Sequence, residues 1–225
     1  MSAVPHRIRV WDLPTRIFHW ALAALVVFSF TTGKIGGAWL DWHLKSGYAI
    51  LALLISRLAW GIAGSATARF STFVRGPAAF AAYARDLVAR RHRAAIGHNP
   101  MGGWMVLFML LVLLAQAASG LFADDEIATQ GPLAEKVSNA VVEKMSWFHY
   151  YNGWTLAVLV GIHLIAIGFY SWVLKDGRVR PMWTGWREVA PGTAEPASRA
   201  SWLAAIFLAL SAGAVYWLVV VYPKG

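Results

Sequence analysis

A chain of 225 residues with 58% hydrophobic and only 14% charged side chains is too apolar for a soluble domain, in which roughly a quarter of residues carry charge. It has no cysteine, which excludes disulfides, thiolate nucleophiles, iron–sulfur clusters and covalent c-type haem with its C-x-x-C-H attachment. The formal net charge of +9 is spread in the manner of a membrane protein, as the loops below show, so nucleic acid is not an expected partner. Thirteen tryptophans and seven tyrosines suit belts at the two membrane interfaces.

Residues 1–16 are polar and basic. Asp12 is placed to cap a helix with Pro14 in its first turn, and an apolar run from Ile17 to Thr32 follows, with His19 near its start. Gly33-Lys34-Ile35 is a poor cleavage pattern, so this run reads as an uncleaved first span rather than a signal peptide. A turn over 33–37 leads to a second helix from His43 to Trp60, with Arg57 in its far half. After a small-residue, basic connector (61–75), Pro77 to Arg93 predicts a surface helix. Phe80, Tyr83, Leu87 and Val88 share its apolar face, and arginines fit it to an anionic lipid surface. A solvated basic loop is the plainer alternative.

Gly97-His98-Asn99-Pro100 precedes a third span, Met101 to Ala123, and an acidic loop runs from Asp124 to Ser146. The fourth span, Trp147 to Leu174, contains no Asp, Glu, Lys or Arg but two histidines, His149 and His163. Residues 175–199, with three prolines, read as an irregular tail before a fifth span, Ser201 to Tyr222. With five spans the loops alternate sides, and fifteen of the 20 Lys and Arg fall on one of them. That bias places the N-terminus in the cytoplasm and the acidic loop outside.

Depth then sorts the histidines. Fourteen residues separate His149 from His163, so they lie nearly on one helix face about 21 Å apart along the axis. His43 joins His149 at the outer level, and His19 joins His163 at the inner level. Imidazoles in hydrocarbon are costly unless their nitrogens are used. A haem takes two axial nitrogens on opposite faces of its ring, and a four-helix bundle holds it between facing helices. A single zinc or copper site would need all four at one point, which their spacing along the fourth helix forbids. Ordinary hydrogen-bonded helix histidines are the competing account. Gly47, Gly153, Gly161 and Gly168 lie near the histidines and suit a flat macrocycle, though small residues also serve close helix packing. Arg57 lies at the inner level and either pairs with a haem propionate or snorkels to the surface. His98 is either an interfacial residue or a group that exchanges protons with a quinone. His6 and His92 receive no role.

The stretch Val10-Trp11-Asp12-Leu13-Pro14-Thr15-Arg16-Ile17-Phe18-His19-Trp20 resembles the opening of the bacterial di-haem cytochrome b561 family, which is related to the b-type cytochrome subunits of nickel–iron hydrogenases. His43-Leu44-Lys45-Ser46-Gly47-Tyr48 is similar to its second-helix motif. Gly97 to Trp104 and Gly120 to Asp125 are similar to its third span, and His149 and His163 match the pair in its fourth. The resemblance covers roughly residues 8–185 and leaves 186–225 as a linker with an additional transmembrane helix.

It implies an all-α fold, an integral membrane four-helix bundle holding two haems plus a fifth C-terminal helix in the bacterial inner membrane. It also implies two non-covalent haem b groups ligated by His19, His43, His149 and His163. The expected function is transmembrane electron transfer between quinone or quinol and a redox partner such as a c-type cytochrome. Two alternatives are a quinone-coupled oxidoreductase such as superoxide oxidase, for which Lys45 beside His43 is the local basic candidate, and a membrane anchor subunit of a dehydrogenase or hydrogenase. The acidic outer loop suits a basic partner, or is merely solvated.

Overall fold

The computed structural model describes residues 6–91 and 94–224. Five of its helices are long and apolar enough to cross a membrane. The first, α1, runs Leu13–Ile35. Its start is set as expected: an Asp12 carboxylate oxygen accepts the Thr15 backbone N–H at 2.8 Å, and Pro14 sits in the first turn. The other Asp12 oxygen accepts the Trp60 indole N–H at 3.0 Å, so this buried carboxylate is satisfied on both sides. The helix stops because Gly36 and Gly37 take left-handed backbone angles, φ 71° and 56°. One 3-10 turn later α2 begins, Leu40–Ala63.

The connector holds a single turn, α3 (Phe70–Phe73), and then α4, Pro77–Val88. Phe80, Tyr83 and Leu87 are half-buried along one face of α4, while Val88 is exposed. The helix ends sooner than expected, because Arg90 adopts φ 56°. His92 and Arg93, placed at its end by the sequence, lie outside the described residues. Helix α5, Pro100–Gly120, starts on Asn99, whose side-chain oxygen accepts the Gly102 N–H at 2.6 Å.

Helix α6, Asn139–Gly168, continues through a π turn, Phe169–Val173. It begins at Asn139 rather than Trp147, with Glu143 and Lys144 inside it. Absence of charge marks only the part of a helix suited to hydrocarbon, so that criterion missed the earlier turns.

Residues 175–178 and 190–199 are irregular as expected, but 179–189 are not. They form a short helix α7 (Val179–Thr184) and a strand β2 (Trp186–Val189), which pairs antiparallel with β1 (His6–Arg9), Arg9 opposite Trp186 and His6 opposite Val189. The all-α expectation therefore holds apart from this small ladder. Gly185, at φ 87°, makes the corner and accepts the N–H groups of Val10 and Trp11. Helix α8, Ser201–Tyr216, continues through a π turn and a final 3-10 turn.

These elements form two compact units, Met1–Ile17 with Leu58–Phe108 and Val160–Ala204, and Phe18–Arg57 with Met109–Leu159 and Ala205–Gly225. The first is centred on Ile8, Val10 and Trp11, packed with Met182 and Val189. Its other anchor is Asp176, whose side chain is 1% exposed and lies between the guanidinium groups of Arg178 (2.5 Å) and Arg187. Those arginines also donate to the carbonyls of Gly97 and Ala95, so the carboxylate ties the chain after α6 to the loop before α5. The second unit is centred on Leu51, Ala52, Leu121, Leu133 and Val215, joined by Leu218 and Val219. The C-terminal half of the fifth span is thus packed into the same core as α2.

Candidate functional site

The second unit brings together the rings of His43 of α2 and His149 of α6, in edge-on geometry. Their ring centres are 5.9 Å apart and their planes stand at 87°. Two imidazoles bound on opposite sides of one metal, each at about 2 Å, hold their ring centres roughly 6 Å apart, so the spacing suits a shared iron. Each ring is held from behind in the same way. His43 donates its Nδ1 proton to the Ser29 carbonyl at 2.8 Å, with the Ser29 hydroxyl at 3.2 Å. His149 donates its Nδ1 proton to the Gln116 carbonyl at 3.0 Å, with the Ser119 hydroxyl at 3.2 Å. A carbonyl on Nδ1 fixes the tautomer, leaves the lone pair on Nε2 and makes the imidazole a stronger ligand.

Helix geometry makes these contacts possible. Ser29 and His43 stand seven residues either side of Gly36, so the turn between α1 and α2 returns one opposite the other. Gly33 lies against the His43 ring and Gly120 against the His149 ring; a β-carbon on either would come within 2.8 Å of imidazole atoms. At Gly47, one turn beyond His43, a β-carbon would meet nothing within 4 Å, and the same is true of Gly161. A flat group fits beside such positions. Gly168 instead faces Trp172, and Gly153 faces the Gln116 amide.

The Gln116 side chain on α5 also lies beside His149, and Asn152 on α6 donates to that side chain. Sequence reasoning passed over both, and also Ser29 and Ser119. Their signal was present, as polar residues inside charge-free spans. Lys34, at the end of α1, lies over the rings of Trp154, Tyr150 and Phe30, at 4.4, 4.8 and 5.6 Å.

The other expected site residues lie as follows. Lys45 is exposed, pairs with Asp41 at 2.7 Å and sits over Trp42. Arg57 is only 4% exposed, its guanidinium 5.9 Å from the Phe18 ring. His19 is half-buried on α1, edge-on to Trp20, and belongs to the second unit. His163, also half-buried on α6, belongs to the first. In the first unit His98 packs between Trp11 and Phe73 and lines a small cavity with Thr67 and Thr72. Among the described residues no three His, Asp or Glu side chains gather where a bare metal ion would need them. The donor set is a pair of imidazoles, which suits a metal that brings its own equatorial ligands.

A multi-span helical protein with two opposed, proton-anchored imidazoles has the donor set of a membrane b-type cytochrome. Residues 10–185 match the profile of the family described as prokaryotic cytochrome b561, and the chain belongs to that family. It is 24% identical over 213 residues to a probable Ni/Fe-hydrogenase B-type cytochrome subunit of Azotobacter chroococcum mcd 1, covering 80% of this chain and 88% of the relative. It is 22% identical, with the same coverage, to the protein of that description from Azotobacter vinelandii. No solved structure matches it. Membership makes it a multi-pass membrane electron-transfer protein, and the b-type family implies haem b.

Proposed function

We propose that this chain carries electrons across the bacterial inner membrane on two non-covalent b haems, between the quinone pool and a redox protein at the outer face. The outer haem is held by His43 and His149, the inner by His19 and His163. The observation that carries the reading is the opposed pair of imidazoles in the second unit, each with its Nδ1 proton on a backbone carbonyl. Haem held by these histidine pairs would supply one-electron chemistry, and two imidazole ligands per haem would favour electron transfer over oxygen binding.

The chain's own residues do the rest. Ser29, Gln116 and Ser119 orient the ligands, and Gly33 and Gly120 allow the approach of neighbouring helices. Arg57 neutralises a propionate of the inner haem, a use suited to a cation that is 4% exposed within a span. Lys45 and Lys34 supply positive charge beside the outer haem. The excess of Lys and Arg in residues 1–16, 57–98 and 175–199 sets the N-terminus in the cytoplasm. Residues 8–185 form the haem-bearing part, and 186–225 add a linker and helix. The names of the Azotobacter relatives favour one kind of partner, a hydrogenase-type enzyme that the chain anchors and from which it receives electrons.

A redox-monitored visible spectrum of the purified protein, with haem counted per chain, tests this. Two haems with paired α and β bands are expected; a chain that purifies without haem refutes the proposal.

A further inference from the structure

We infer that Gln116 is a positioning residue for the outer axial ligand His149, and that Asn152 acts through it; this rests on the haem reading above. An amide inside a membrane span is costly unless every polar atom is used. Here every one is. The Gln116 side-chain oxygen accepts from Asn152 Nδ2 at 2.8 Å, and the second Asn152 N–H goes to the Val112 carbonyl at 3.1 Å. Gln116 Nε2 donates to the His149 carbonyl at 3.0 Å and reaches His149 Nε2 at 3.1 Å. The Gln116 backbone carbonyl holds the Nδ1 proton at 3.0 Å. One residue of α5 therefore faces both nitrogens of the His149 ring.

The amide is anchored at both ends without help from Nε2, by Asn152 on its oxygen and by the His149 carbonyl on its nitrogen. Its position is thus independent of what Nε2 ligates. Its donor edge places positive partial charge beside the ligating nitrogen in a medium of low dielectric, which favours the state carrying one more electron. His43 is served differently, with Ser29 as its described hydrogen-bond partner. The two axial ligands are therefore unequal, and the side-chain dipole belongs to His149.

The test is Gln116→Met, which keeps size and removes the dipole. Wild type and variant are compared in detergent by haem count, potentiometric titration and low-temperature EPR. The expected result is two haems per chain in both, with the outer haem's midpoint lowered and its low-spin EPR signal shifted, while the inner haem is unmoved. Asn152→Leu should shift the same signals less, and the double variant should match Gln116→Met alone, because Asn152 works only through Gln116. If Gln116→Met does not assemble, Asn152→Leu carries the same test. Two haems with an unmoved outer midpoint and EPR signal overturn this inference alone. Wild-type protein without an outer haem overturns the haem reading and this inference with it.

Discussion

A β-carbon on Gly33 would stand 2.8 Å from Nδ1 of His43. Gly→Ala in a helix ordinarily gains about 0.5–1 kcal/mol from lost unfolded-state freedom and better propensity. Here the ring cannot retreat, because its Nδ1 proton is on the Ser29 carbonyl. Overpacking of about 1–3 kcal/mol wins. Gly33→Ala is therefore expected to lower both outer-haem occupancy and thermal stability, and Gly120→Ala to do the same through His149. Haem per chain beside a melting curve checks it; normal occupancy in both variants contradicts the packing argument.

Removing ligands should separate the haems. His43→Ala or His149→Ala should delete the outer signal and largely spare the inner, and His19→Ala or His163→Ala should do the reverse. Each loss also removes stabilisation by bound cofactor, about 4 kcal/mol for free ligand at a thousand times Kd. Spectra and melting curves of the four variants decide this. A single haem lost in all four alike would argue against two levels.

Asp176 and Lys45 make a contrasting pair of ionic contacts. Asp176→Ala leaves the two largely buried guanidiniums of Arg178 and Arg187 without their carboxylate, and breaking a buried pair typically costs about 3–5 kcal/mol, somewhat less here because both arginines retain partial exposure. The variant should melt earlier and be cut more readily by protease within 186–199. Lys45→Ala breaks an exposed i,i+4 pair and should change stability by less than about 1 kcal/mol. Equal melting points for the two variants would refute the assignment of Asp176 as an anchor.

The acidic loop 124–146 has its own pH dependence. Asp125 accepts the backbone N–H groups of Thr129, Ala128 and Ile127, which holds its carboxyl below the usual carboxylate range. A depressed pKa means that the folded loop binds a proton less readily than the unfolded one. Its contribution is therefore full above about pH 4 and is lost as pH falls through the folded value. Amide exchange at 127–129, corrected for intrinsic rates, should show protection falling on acidification below that point. Asp125→Asn should flatten the profile.

If the acidic loop steers a basic partner, exchange with cationic cytochrome c should slow as salt rises from about 10 mM to 150 mM, where the screening length falls from about 30 to 8 Å. A rate indifferent to salt leaves the loop a solvated surface.

Much of this protein is written locally. Apolar runs, the missing charges between Trp147 and Leu174, and the positions of four histidines follow from composition and periodicity, because a bilayer tests each segment almost independently. The same holds for the cap at Asp12, which needs only the residue three places on. The start of α6 at Asn139 was not legible, since a helix that leaves the apolar layer carries charges like any loop. The ladder of His6–Arg9 with Trp186–Val189 joins segments far apart in the chain, and four-residue strands give no usable alternation.

The braces of the His43–His149 pair were hidden for the same reason. Ser29, Gln116, Ser119 and Asn152 look like stray polar residues until α1 meets α2 and α5 meets α6. Linear order decided which histidines fall within the spans. Only packing decided which carbonyl receives each Nδ1 proton, because a hydrogen bond depends on direction and register between helices, and neither is encoded in any single segment.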